Sequence, residues 1–101
     1  MAGADQGHTT RPRRLEPSTE VVAQRLDDVL VVVQLETNRI HELNRTGARF
    51  WELLQDEHEL EKVERQMLEE FDVPEAALRG EIDKLVAELE SEKLLTVVAR
   101  D

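Results

Sequence analysis

The three histidines and the many carboxylates are the residues that could bind a metal or carry out acid–base chemistry. His41 and His58 are each followed by a glutamate, as in a zinc-protease helix, but neither has a second histidine four residues later. The remaining histidine, His8, is distant in sequence from both, and the chain contains no cysteine. Because a metal site needs clustered ligands, we expect no metal site in this chain.

Nucleophilic catalysis has equally little support in the sequence. Ser18 and Ser91 are the only serines, and neither lies in a Gly-x-Ser-x-Gly turn. The glycines form no phosphate-binding loop; they are Gly3, Gly7, Gly47 and Gly80. Nearly all carboxylates of the C-terminal half lie opposite apolar helical positions, where solvation explains them. We therefore expect a protein that is not an enzyme and needs no cofactor.

Length and composition restrict the kind of protein further. A chain of 101 residues has room for one domain with a modest core, and 40% apolar with 36% charged residues suits a globular fold. A formal net charge of −10 argues against binding of nucleic acid, which needs a basic surface. No apolar run is long enough to span a membrane, and the N-terminus shows no signal-peptide core. These features, with the absence of cysteine, predict a cytoplasmic protein.

The first part of the chain shows no hydrophobic periodicity. We expect residues 1–18 to form a disordered N-terminal tail and residues 19–98 to form the folded domain. The only basic cluster, which consists of Arg11, Arg13 and Arg14, lies in this tail. We interpret that cluster as a solubilising feature.

Three short strands are predicted next. Val21 to Leu26 suggests a first strand, and Asp27-Asp28 suggests the turn that follows. The β-branched run from Val29 to Leu35 predicts a central strand covered on both faces. Thr37-Asn38 can form the next turn, and Ile40 to Leu43 would return as a third strand, polar enough to lie at the sheet edge.

The hydrophobic period changes to that of helices at Asn44, a suitable N-cap for a first helix. A second helix is predicted from about Glu59 to Phe71. The Pro74 that follows suits the start of a third helix, which runs to about Glu92. Leu94 to Val98 could add a short closing strand. A three-stranded antiparallel sheet followed by three helices is an α+β fold.

Two features of the predicted helices bear on partners. Phe50 and Trp51 are assigned to the core of the domain. Gly80 lies inside the third helix, where glycine costs about 1 kcal/mol relative to alanine. It could permit close approach of another chain or simply be tolerated.

A resemblance to a known family is carried by residues 43–54, which read Leu-Asn-Arg-Thr-Gly-Ala-Arg-Phe-Trp-Glu-Leu-Leu. This stretch and its flanks, from about Val21 to Val97, resemble the PqqD-like proteins, also called RiPP recognition elements. These are small winged-helix-like domains that bind the leaders of ribosomally synthesised, post-translationally modified peptides. Arg45 replaces a frequent proline of the family. Ile40-His41 replaces a common aromatic pair, and Glu42 a frequent glycine.

The resemblance implies a site for leader binding. In the family the leader adds as an antiparallel strand to the third strand, in a groove shared with the third helix, as in other cases of strand addition. The pairing strand would then comprise Arg39, Ile40, His41 and Glu42. The flank of the third helix that we assign to the groove comprises Arg79, Ile82, Asp83 and Val86. The resemblance also implies a monomeric partner protein that presents a precursor peptide to a separate maturation enzyme, in a lasso-peptide, quinone-cofactor or radical-enzyme pathway.

Two other classes of function compete with this interpretation. A winged-helix DNA-binding module would need a basic recognition helix, whereas the third helix is predominantly acidic. A homodimerisation module could pair through the third strand or the third-helix seam. Sedimentation of the free protein separates a dimer from a monomeric leader-binding protein.

Overall fold

A computed structural model describes residues 11–100 of the chain. The elements are β1 (Pro12–Pro17), β2 (Val21–Leu26), β3 (Val29–Gln34), β4 (Arg39–Leu43), α1 (Arg45–Leu54), α2 (Leu60–Glu70), α3 (Glu75–Ser91) and β5 (Leu95–Arg100). The predicted α+β class is confirmed, as are the three-stranded antiparallel sheet and the three helices after it.

The three-stranded sheet has the order β2–β3–β4, and both pairings are antiparallel. Its two connections use residues with left-handed backbone, Asp27 with φ of 57° and Asn38 with φ of 60°. Short polar side chains tolerate this conformation better than most, which explains why the chain turns at the two predicted positions. β4 lies at an edge of the sheet, as the sequence predicts.

The two faces of this sheet differ in burial. Leu30, Val32 and Gln34 of β3 are buried, whereas the intervening side chains of β3 remain partly exposed. The prediction of a central strand covered on both faces is therefore wrong. Because all three helices follow the sheet and pack on one side of it, only alternate residues of β3 reach the core.

The N-terminus of α1 fixes the chain where the sheet ends and the helices begin. The side chain of Asn44 accepts a hydrogen bond of 2.9 Å from the backbone N–H of Gly47, so the predicted N-cap is confirmed. A Cβ at Gly47 would lie 3.3 Å from Cβ of Leu43, which explains a small residue at this position. Phe50 and Trp51 are buried, as predicted.

A further strand pair lies outside the sheet. β1 pairs antiparallel with β5, and Leu15 of β1 is fully buried opposite Val97. The backbone N–H of Leu15 also donates a 2.9 Å hydrogen bond to the carbonyl of His58. The prediction of a disordered tail is thus wrong for Pro12–Pro17, while residues 1–10 lie outside the described residues. One buried side chain between prolines and arginines gives no period-two signal, and its partner strand is at the other end of the sequence.

Arg11 anchors this segment to the helices. Its guanidinium contacts Glu64 of α2 at 2.6 and 3.1 Å and Asp83 of α3 at 2.8 Å. The side chain of Glu64 is only 1% exposed, and a carboxylate at such a position needs a charged hydrogen-bonding partner. The contact with Glu64 raises the pKa of Arg11, so this residue of the basic cluster has a structural role rather than a solubilising one.

Candidate functional site

The outer edge of β4 is open. β4 pairs with β3 from Arg39 opposite Gln34 to Leu43 opposite Leu30, and no strand in residues 11–100 pairs with its other edge. An outer strand has backbone N–H and C=O groups directed away from the sheet, and these can pair with an incoming extended chain. β2 is the other outer strand, but only β4 also lies against the end of α3.

An ion-pair cluster connects β4 to that end of α3. Arg39 Nε lies 2.7 Å from Glu92 Oε1, and His41 Nε2 lies 3.3 Å from the same oxygen. Arg39 and His41 share the helix-facing side of β4, because they pair with the buried Gln34 and Val32. The open strand edge therefore has a polar wall beside it, formed where α3 ends.

A cavity of about 260 Å³ lies at this junction. Its lining residues are Thr37, Arg39, Ser91, Glu92 and Lys93. The strand edge and the end of the helix thus border an open depression that can take a side chain of an added strand.

The buried side chain of Gln34 holds the two walls together. Its amide nitrogen donates a hydrogen bond of 2.6 Å to the carbonyl of Lys93, and its amide oxygen accepts one of 2.7 Å from the N–H of Glu36. Lys93 has a left-handed backbone, with φ of 62°, at the point where the chain leaves α3 for β5. Gln34 therefore sets the position of the α3 end relative to β4.

The structure does not bring the predicted α3 residues to β4. Arg79 lies 3.0 Å from Glu75 and 3.9 Å from the buried Glu64, and Asp83 contacts Arg11. The other two predicted residues, Ile82 and Val86, belong to the buried core. This flank of α3 faces α2 and the segment that carries Arg11.

The residue at the end of α3 that contacts β4 is Glu92, which was not among the predicted site residues. Glu92 makes the contacts with Arg39 and His41, and the half-buried Leu85 lies on the same side of the helix, seven residues before Glu92. Glu88, between these two in sequence, and Glu81, four residues before Leu85, lie on the same stripe and are exposed. The spacing of these residues was visible in the sequence, but periodicity cannot say which flank of a helix meets a given strand.

The other two predicted β4 residues point away from the helices. Ile40 pairs with Val33 and Glu42 pairs with Val31, so both lie on the opposite face of the sheet. Ile40 is 65% exposed, the largest value among the exposed large apolar residues of the described chain. All four predicted strand residues thus lie on the open strand, two on each face.

Among residues 11–100, no group of three or more histidine, cysteine, aspartate or glutamate side chains is arranged to hold a metal ion. His41 Nε2 lies 3.3 Å from Glu92 Oε1 at the end of α3, and His58 lies between α1 and α2, with its carbonyl accepting the hydrogen bond from the N–H of Leu15. The described part of the chain also contains no helix that could cross a membrane.

An open edge strand beside the third helix of an α+β domain defines a class of small peptide-binding modules that act by strand addition. The family model for coenzyme PQQ synthesis protein D (PqqD) matches residues 30–95, which is more than half of the chain. The chain therefore belongs to the PqqD family. No curated protein matches its sequence significantly.

Two solved structures share this fold. TbiB1 in complex with the TbiA(beta) leader peptide is 25% identical, with a TM-score of 0.76 over 83% of this chain and 98% of that chain. A lasso peptide synthetase B1 complexed with the leader peptide is 20% identical, with a TM-score of 0.71 over 82% of this chain and 98% of that chain. This chain thus spans nearly the full length of both.

Proposed function

We propose that this protein binds the leader of a ribosomally made precursor peptide and presents it to a separate maturation enzyme. The observation that carries the proposal is the open edge of β4 next to the end of α3. Both similar structures are complexes with a leader peptide, which supports the same kind of ligand here.

Strand addition gives this edge a mechanism. The leader pairs with β4 through backbone hydrogen bonds, which depend little on its sequence. Its alternate side chains then fall on opposite faces of the extended sheet. Those on the helix side meet Arg39, His41 and Glu92, and these contacts provide selectivity.

We place the helical wall of the groove on the flank of α3 that carries Leu85 and Glu92. Leu85 is half-buried and offers apolar surface, while Glu92 is 24% exposed and already oriented by Arg39. The Arg79–Asp83 flank is engaged with Glu64 and Arg11, which favours a role in the packing of the domain.

The proposed role is non-catalytic. No residue of the site forms a nucleophile–base pair, and peptide modification is assigned to another polypeptide. We propose a lasso-peptide pathway in the cytoplasm, in line with the lasso peptide synthetase B1 relative and with a chain free of cysteine.

The proposal is tested by titrating the full chain, labelled with ¹⁵N, with a synthetic leader from the precursor encoded beside it. Saturable shifts of the β4 amides and of the C-terminal half of α3 are expected. A series of leaders, each N-methylated at one backbone amide, then tests the mechanism. Because only every second amide of an added strand faces β4, affinity should fall at alternate positions.

Two matched variants locate the helical wall. Leu85→Ala should weaken leader binding about tenfold through lost apolar contact, whereas Asp83→Ala should leave it unchanged. If Asp83→Ala weakened leader binding and Leu85→Ala did not, the groove would lie on the flank predicted from the sequence, which carries Arg79 and Asp83. A leader that produces no shifts, together with sedimentation of the free chain as a dimer, would replace leader binding with homodimerisation.

A further inference from the structure

The face of the sheet opposite the helices forms a second surface, which we call the outer sheet face. Its side chains, which alternate with the buried ones, are those of Val22, Gln24, Leu26, Val29, Val31, Val33, Ile40 and Glu42. Six of these eight residues are aliphatic. A chain with 36% charged residues therefore keeps one face of its sheet largely apolar.

The apolar residues of this face are contiguous and accessible. Val22, Val33 and Ile40 are paired in register across all three strands, and Leu26 pairs with Val29 at the other end of the β2–β3 hairpin. Val22 and Leu26 are each 52% exposed. A contiguous exposed apolar surface on a small domain typically marks an interaction site.

The charges around the outer sheet face have one sign. Between residues 20 and 43, the acidic residues all lie on this face or at the ends of its strands, and they are Glu20, Asp27, Asp28, Glu36 and Glu42. The two arginines of this segment, Arg25 and Arg39, turn to the opposite face, where they pair with Glu52 and Glu92. The outer sheet face is therefore an apolar centre with an acidic border.

We propose that the outer sheet face docks a second protein through a surface with an apolar centre bordered by lysine and arginine. Apolar contact provides the affinity, and the acidic border selects the partner and speeds its encounter. This interaction goes beyond leader binding and uses a different face of the same sheet.

The charge pattern distinguishes this partner from other occupants. A second copy of the chain would bring one acidic border against another, and each copy carries a formal net charge of −10. The acidic border would also repel the negatively charged phosphate groups of nucleic acids or lipids. A basic protein surface is the occupant that the border favours.

The test uses a probe of the proposed chemistry, an 18-residue amphipathic helix of leucine and lysine, with a matched helix in which glutamate replaces every lysine. The full chain is titrated while the valine, leucine and isoleucine methyl groups are followed by NMR. Saturable shifts are expected for the outward-facing Val22, Val33 and Ile40 with the lysine helix. The inward-facing Val32 should not respond, and the glutamate helix should not bind.

Variants on β2 and its turn keep the test independent of the leader site on β4. The double variant Val22→Thr, Leu26→Thr preserves strand propensity and should weaken the lysine helix about tenfold, with leader affinity and Tm unchanged. Asp28→Lys should also weaken binding, whereas Glu69→Lys, the same charge change at an exposed position of α2, should not. Equal effects of the two lysine variants, or shifts spread over the helices, would overturn the proposal. A dimer in sedimentation that Val22→Thr, Leu26→Thr disrupts would also overturn it.

Discussion

The side-chain amide of Gln34 donates a 2.6 Å hydrogen bond to the backbone carbonyl of Lys93 and so joins the central strand to the second residue after α3. The Gln34 amide lies where water has little access, since this residue is only 1% exposed. The amide oxygen of the same side chain accepts a hydrogen bond from the backbone N–H of Glu36, at the turn that leads into β4. One buried amide therefore positions both walls of the proposed leader groove.

Replacement of Gln34 by leucine should destabilise the domain although volume is nearly conserved. The carbonyl of Lys93 and the N–H of Glu36 would lose their partner, and a typical intramolecular hydrogen bond contributes about 0.5–1.5 kcal/mol to stability. Urea denaturation of Gln34→Leu measures the change in unfolding free energy. Gln24→Leu, on the exposed face of β2, is the control; an equally small effect of both changes would refute the structural role of Gln34.

Leu15 is expected to behave as a core residue despite its position in a segment without periodicity. Leu15→Ala should lower the unfolding free energy by about 2–5 kcal/mol, as is usual for a fully buried leucine. Chemical denaturation provides the value, with the exposed neighbour change Glu16→Ala as control. A loss below about 1 kcal/mol would mean that β1 does not complete the core in solution.

Strands β2–β4 and the three helices were predictable because each has its own local signal. β-branched runs separated by Asp27-Asp28 and Thr37-Asn38 indicate the sheet, and the change of period at Asn44 indicates the helices. β1 was not predictable, because its pairing with β5 depends on residues at the far end of the sequence. The same limit applies to the proposed site: local signals predict β4 as an edge strand, but the helical wall beside it depends on how α3 is rotated against the sheet.

Gly80→Ala is expected to stabilise the domain. Gly80 is exposed inside α3, and an added Cβ would meet no atom within 4 Å in the described chain, so no close contact there requires glycine. Alanine should raise the unfolding free energy by about 0.5–1 kcal/mol through its helix propensity. Thermal denaturation tests this, with Ala87→Gly, an exposed position of the same helix, expected to shift Tm in the opposite direction. A loss of stability in Gly80→Ala would indicate that another chain approaches α3 at this position.

The ion pair between Arg49 of α1 and Glu70 of α2 should make the unfolding free energy depend on pH in the acidic range. Hydrogen bonds of 2.7 and 2.8 Å from Arg49, and a weaker contribution from Gln66, lower the pKa of Glu70 from 4.5 to about 2. A lowered pKa favours the folded state when the carboxylate is ionised, so this contribution is full above pH 4.5 and is lost as pH falls to about 2.

Glu70→Gln removes that titration. Denaturation at a series of pH values between 4.5 and 2 should show a shallower decline for Glu70→Gln than for the parent chain, with the exposed neighbour change Glu69→Gln keeping the parent slope. Parallel declines for all three proteins would show that the ion pair contributes nothing measurable in solution.

The pairing of β1 with β5 also constrains how the chain folds during its synthesis. The β2–β3–β4 meander and α1 are built from neighbouring segments and can form as they leave the ribosome. Leu15 is made early but finds its partner Val97 only after nearly the whole sequence has been translated. Until then this apolar side chain and the core surface that it covers stay exposed to solvent. The pairing of β1 with β5 is therefore the step that completes the folding of the nascent domain.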